Sequence, residues 1–318
     1  MCSSDLTVRI LGGGRLVGRV GEWDLGVINM QTESQGELPA ENFGVVRLRR
    51  RVVNDQSFAG IMTTSRLGDD GSWNVAYGAD AILRLGEFEI LEMKWAQTFE
   101  DDLVDANGVS LTGSSYASAQ LQRQTDIGWS YRTGASYSGE DYMPGVGFVQ
   151  RTNYSQYSWD VQHGWLMADE AKLKTHDVST YGSAYFRNED GSLESLRTGG
   201  SWDFEFKSSA SARISSNYLI EDLESDLSFP KGTTVPKGRY GFLETEARLS
   251  LPEGSLFRGR FEVQGGSFYD GWRYGVQFSP TWNLNRHVEL SGSYEFTRLE
   301  FPDRDQEANI HLLGIRTQ

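Results

Sequence analysis

The stretch Leu256–Thr297, LFRGRFEVQGGSFYDGWRYGVQFSPTWNLNRHVELSGSYEFT, separates into two chemistries by parity. Phe257, Phe261 and Val263 fall on one side of an extended chain, and Arg258, Arg260, Glu262 and Gln264 fall on the other. Trp272, Tyr274, Val276, Phe278 and Trp282 then alternate with Arg273 and Gln277, and Val288, Leu290, Tyr294 and Phe296 with Glu289 and Glu295. Successive side chains of a strand point to opposite faces, so this is a period-two pattern carried through three consecutive strands. Each run is about nine to thirteen residues long, beyond the five or six usual in soluble sheets. That length suits a tilted strand crossing a membrane.

Working outward, the same alternation predicts strands near 15–20, 23–31, 43–53, 57–66, 73–84, 87–98, 114–124, 127–138 and 154–166. It continues at 171–187, 197–207, 210–221, 238–250, 256–265, 272–284, 287–298 and 306–316. Short turns alternate with longer polar segments at 32–42, 67–72, 99–113, 139–153, 188–196, 222–237, 266–271 and 299–305. Outer-membrane barrels alternate short periplasmic turns with long external loops in this way. Pro144–Asn153 reads as part of a long loop, because a strand there would break the alternation. The expected fold class is therefore all-β: a large antiparallel up-and-down transmembrane β-barrel with 17 strands in this chain. Such barrels favour even strand numbers, so at least 18 are expected in a complete protein, and the chain reads as a fragment cut at both ends. Residues 1–14 are taken as a truncated or artefactual leading segment, and 15–318 as an incomplete barrel.

Composition agrees with a large sheet. The 318 residues include 36 Gly and only 7 Pro, with 12% aromatics; few prolines and many aromatics suit strands. No apolar run approaches the length of a helical span. The net charge of −14 and the absence of a basic stripe argue against nucleic acid as a partner. One cysteine, Cys2, excludes an internal disulfide framework. No signal peptide is evident in MCSSDL.

Parity assigns the faces. The lumen-lining set is Glu244, Glu246, Arg248, Arg258, Arg260, Glu262, Gln264, Arg273, Gln277, Glu289 and Glu295. The lipid-facing set is Phe257, Phe261, Val263, Trp272, Tyr274, Val276, Phe278, Trp282, Val288, Leu290, Tyr294 and Phe296. Arg47, Arg49 and Arg51 join the lumen side, while Arg50 shares the face of Val46 and Leu48 and should snorkel near a turn. A short turn at Pro252 sets Leu249 opposite Phe257 and Glu246 opposite Arg260; the next turn sets Gln277 opposite Glu295.

Motifs for catalysis are absent: there is neither G-x-S-x-G nor H-E-x-x-H. His163, His176, His287 and His311 are scattered, with His311 expected on the lumen side. No catalytic residue, metal ligand or cofactor is assigned. The acidic loops Glu100–Gly108, Glu221–Asp226 and Phe301–Glu307 offer oxygen ligands of the kind calcium takes, but Leu103 breaks the spacing of a calcium loop, and a solvated loop is the plainer reading.

LGGGRLVGRVGEWDLGVINMQT, AENFGVVRLRR, YGADAILRL and MPGVGFVQR, in that order, resemble the outer-membrane barrel family called domain of unknown function 5916. The resemblance covers roughly Ile10 to Gln318. It implies a Gram-negative outer membrane, with lipid, lipopolysaccharide and the barrel-insertion machinery as partners. It also implies an upstream carbohydrate-binding domain similar to module family 9, through which glycans would be bound. The expected role is a channel or surface platform linked to glycan binding or uptake. Two alternatives stay open: an outer-membrane hydrolase whose site is assembled from several strands, and a soluble all-β binding protein. The first needs a Ser or Asp beside His311 or His163. The second needs Phe257, Phe261, Trp272, Phe278 and Leu290 in a dry core.

Overall fold

A computed structural model of the chain describes residues 8–103, 110–252, 256–285 and 288–317. The strands are β1 (Ile10–Val20), β2 (Trp23–Thr32), β3 (Glu41–Arg51), β4 (Phe58–Gly68), β5 (Trp73–Arg84), β6 (Glu89–Glu100), β7 (Ser115–Arg123), β8 (Gly128–Ser138), β9 (Tyr154–Leu166) and β10 (Leu173–Arg187). They continue as β11 (Leu193–Phe206), β12 (Ser211–Leu223), β13 (Leu227–Ser228), β14 (Thr234–Val235), β15 (Gly238–Ser250), β16 (Phe257–Phe268), β17 (Gly271–Asn285), β18 (Val288–Phe301) and β19 (Gln306–Thr317). All but the two-residue strands β13 and β14, which pair with each other, belong to one 17-stranded sheet. The pairing is antiparallel between sequence neighbours from β1 to β7, and from β11 to β19 once the β13–β14 hairpin is passed over. The chain is thus an all-β, up-and-down antiparallel sheet. Among the described residues no helix is long and apolar enough to cross a membrane.

Two compact units divide the chain. The first holds β1–β7 with residues 133–157 and 186–192; the second holds 124–132, 158–185 and everything from Leu193. Strands in both are long because alternation is unbroken for ten or more residues in most of them.

Several expectations change in detail. β1 starts at Ile10, so Gly12–Gly14 lie within the strand rather than ahead of it. The strands also run further into some segments expected as loops, leaving only 188–192, 269–270 and 302–305 between strands. Those polar residues have satisfied their backbone by pairing, which weakens the length alternation. Tyr154 opens β9, and the preceding Pro144–Asn153 is a loop, as the alternation required.

The register at Pro252 is the clearest correction. Leu249 faces Phe261, not Phe257, and Glu246 faces Gln264, not Arg260. The slip is four residues, so every side chain keeps its face. Its reason is electrostatic: Arg248 now stands opposite Glu262, where the expected register would have set it beside Arg258. Across the next pair the expected rung is present, with Gln277 opposite Glu295.

Candidate functional site

In the second unit the sheet is inverted relative to a soluble protein. Ten of the predicted apolar residues of β16–β18, from Phe257 to Leu290, and Tyr294 after them are 37% to 53% exposed. Phe296, on the same face, is half-buried against the His311 ring. The carboxylates of the other face are less accessible, with side-chain exposures of 15% for Glu262 and 19% for Glu244. Charged groups are ordinarily the exposed ones. Leaving such a row of large apolar side chains half in water forgoes on the order of 10 kcal/mol of transfer free energy. A dry core holding Phe257, Phe261, Trp272, Phe278 and Leu290 is not what these exposures describe.

The eleven polar residues singled out by parity all lie on the opposite face, and most are paired across strands. Arg248 donates from Nε to Glu262 Oε2 at 2.8 Å and reaches Glu246 Oε1 at 2.9 Å. Arg258 Nη2 donates to Glu289 Oε2 at 2.7 Å. Arg273 Nη2 lies 2.6 Å from Glu244 Oε1 and 3.4 Å from Gln264 Oε1. Among the described residues Arg260, Gln277 and Glu295 have no such partner. Pairing of this kind keeps charges hydrated and fixed in register, each pair being worth a few tenths to about 1 kcal/mol where water reaches it.

The first unit repeats the arrangement. Arg47 forks onto the Asp80 carboxylate, with Nη2 donating at 2.7 Å, and Asp24 accepts from Arg19 at 2.5 Å and Arg49 at 3.0 Å. Arg50 sits on the apolar face beside the turn, donating to Glu22 at 2.9 Å and stacking over Trp23 at 5.4 Å. That turn is two residues long, and Gly21 at its head takes φ +60, which glycine adopts without steric cost.

Each unit has one end of its polar face covered by a long loop. In the second unit, residues 224–237 fold back with the β13–β14 hairpin as their spine. Val235 is fully buried among Phe242, Phe268, Leu299, Phe301 and Ala308, with Leu227 and Phe229 packed alongside. Phe229 meets Phe268 edge-on at 5.6 Å, and Tyr269 donates to Glu221 Oε2 at 2.6 Å. Thr234 N donates to Gln306 Oε1 at 3.2 Å, tying the loop to β19. Burial, and secondarily the Glu221 bond, raises the Tyr269 pKa above the ordinary tyrosine range. Sequence reading missed this cap, yet a signal was present. Tyr240 and Phe242 share the parity of Glu244, Glu246 and Arg248, and Leu299 and Phe301 share that of Glu295. Apolar residues in the polar phase mark where something lands.

In the first unit the cover is polar. Asn74 donates to Met143 O at 2.7 Å and accepts from Gly145 N at 2.7 Å, and also donates to Glu100 at 3.1 Å. Met143 N donates to Thr98 Oγ1, which donates to Ser114 O at 3.2 Å. Gln97, Thr98 and Ser114 are each 1% exposed. Backbones meet closely here: a Cβ on Gly139 would lie 2.0 Å from Gly113 O, so glycine alone fits.

The three described histidines, His163, His176 and His311, fall on the apolar face. His311 stands opposite Phe296 and its Nδ1 lies 3.0 Å from Tyr294 OH, so the lumen-side expectation for it is corrected. His163 lies between Trp129 at 4.8 Å and Trp165 at 4.3 Å, and His176 stacks on Trp165 and accepts from Trp202 Nε1 at 3.3 Å. Among the described residues no Ser or Asp hydrogen-bonds His163 or His311, the contact that the hydrolase alternative requires. His287 lies outside the described residues, as does most of the acidic loop Glu100–Gly108. Among the described residues no group of His, Cys, Asp and Glu is placed to hold a metal.

No protein-family model matches the chain, and no curated protein does. One solved structure, described as the crystal structure of Acinetobacter baumannii OccAB3, is similar at 10% identity and a TM-score of 0.42, covering 93% of this chain and 92% of that one.

Proposed function

We propose that the chain is an outer-membrane β-barrel of a Gram-negative bacterium whose polar face lines an aqueous channel, with the 224–237 cap narrowing it at one end. The observation that carries this is the inversion of β15–β18: aromatic residues exposed, carboxylates and guanidiniums paired on the face behind them. Only strands closed on themselves can cross hydrocarbon with their backbone satisfied. Lipid then supplies the apolar contact that water denies Phe257 and its neighbours. Membership of the domain of unknown function 5916 barrels, contact with lipopolysaccharide and the barrel-insertion machinery, and a link to glycan uptake through an upstream carbohydrate-binding domain belong to the same proposal. The test is planar-bilayer conductance of the purified protein, with and without oligosaccharide, alongside heat-modifiable gel migration. Detergent dependence, heat-modifiable migration and discrete conductance steps are expected. A monodisperse protein in detergent-free buffer with no conductance would refute the reading.

A further inference from the structure

The apolar face of the first unit is not uniformly bulky. Two rungs cross β3 to β6: Leu48–Ile61–Ala79–Trp95 and, nearer the short turns, Arg50–Ala59–Ala81–Met93. Three alanines form the floor, and Trp23, Ile61, Met93 and Trp95 stand up around it, 38% to 57% exposed. The result is a groove of about 580 Å³ lined almost wholly by carbon, within the roughly 300–1,000 Å³ typical of small-ligand sites.

One end of the groove is ionic. Arg50 lines it, and Glu22 Oε2 accepts from Arg50 Nη2 at 2.9 Å, both side chains being about half exposed or more. The pair offers a guanidinium and a carboxylate side by side at the turn edge, where headgroups lie if the strands cross a bilayer. We infer that the groove holds one glycerophospholipid with a phosphoethanolamine headgroup. An acyl chain lies over Ala59, Ala79 and Ala81, the phosphate accepts from Arg50, and the ammonium donates to Glu22. Arginine is well matched to phosphate oxygens, and of the ethanolamine, choline and glycerol headgroups only the first offers charge-assisted bonds of both signs. A choline ammonium has no N–H to donate. A phosphoglycerol headgroup brings no cation, so its phosphate would draw Arg50 from Glu22 and leave that carboxylate beside a second negative charge.

This rests on the membrane reading, and the experiment separates the two. The protein is placed in nanodiscs of equimolar phosphatidylethanolamine, phosphatidylglycerol and phosphatidylcholine, stripped with neutral detergent, and its retained lipid measured by mass spectrometry. Phosphatidylethanolamine should be enriched about fivefold over the other two, the ratio expected of one partly exposed ionic contact. Glu22→Gln should abolish the preference over phosphatidylcholine, and Ala81→Trp should remove retention of every lipid while heat-modifiable migration persists. Equal retention of all three, preference for phosphatidylglycerol, or indifference to both substitutions would overturn the inference. Failure to enter nanodiscs at all would instead overturn the membrane reading, and the lipid site with it.

Discussion

The two units cover one end of their polar faces by opposite means. In the first, Asn74 and Thr98 hold the loop through hydrogen bonds to Met143, Gly145 and Ser114. In the second, Val235 and Phe229 sink into a patch of Phe242, Phe268, Leu299 and Phe301. Hydrogen bonds exchange with water at little net gain, whereas apolar burial gains from water directly. The apolar cover should therefore be the tighter of the two and the costlier to damage.

The largest effect is expected from Phe301→Ala. Phe301 is 1% exposed, and truncating a buried phenylalanine costs about 3–5 kcal/mol. The cap should loosen, seen as faster tryptic cleavage at Lys237 and a lower transition temperature in heat-modifiable migration; unchanged cleavage would mean the cap is not held by this core. Asn74→Ala removes the three bonds of one buried side chain, at about 1–3 kcal/mol. Amide exchange at Gly145 should rise while that at Val235 stays slow; parallel changes in both would dissolve the contrast between the two covers.

Further down the scale is the charged ladder. Arg248→Ala should cost about 1–2 kcal/mol, because it leaves Glu246 and the mostly covered Glu262 without their cation. A double-mutant cycle with Glu262→Gln measures the coupling, expected to be favourable by a few tenths to about 1 kcal/mol; an unfavourable coupling would contradict the pairing of these two side chains. The smallest effect concerns Tyr269. Its folded pKa is raised, so its contribution is complete below about pH 10, the unfolded tyrosine value, and is lost as pH rises through the higher folded value. Tyrosinate absorbance should show a late-titrating component that Tyr269→Phe diminishes by one group; an unchanged late component would contradict the assignment.

Most of the sheet was legible because β strands announce themselves by parity, and parity survives errors of register. The four-residue slip at Pro252 moved Glu246 from Arg260 to Gln264 yet left both faces intact. What parity cannot specify is where a loop goes once it leaves the sheet. Nothing local in Glu224–Lys237 points to Phe268 or Ala308, which lie dozens of residues away and become neighbours only when the strands pair. The polar cover was harder still, since Asn74 and Thr98 look like any strand-end polar residues until Met143 arrives. Arg50 was readable as a turn-edge cation; its partnership with Glu22 required the register of β2 against β3.

If the sheet crosses a bilayer, alternate residues of one strand meet lipid and water. Nitroxide labels placed singly at Val276, Gln277, Phe278 and Ser279 of β17, in a Cys2→Ser background reconstituted into bilayers, read this directly. Oxygen accessibility should peak at 276 and 278, and accessibility to a polar nickel chelate at 277 and 279. A flat profile, or one with the phenylalanine position shielded from both reagents, would contradict it.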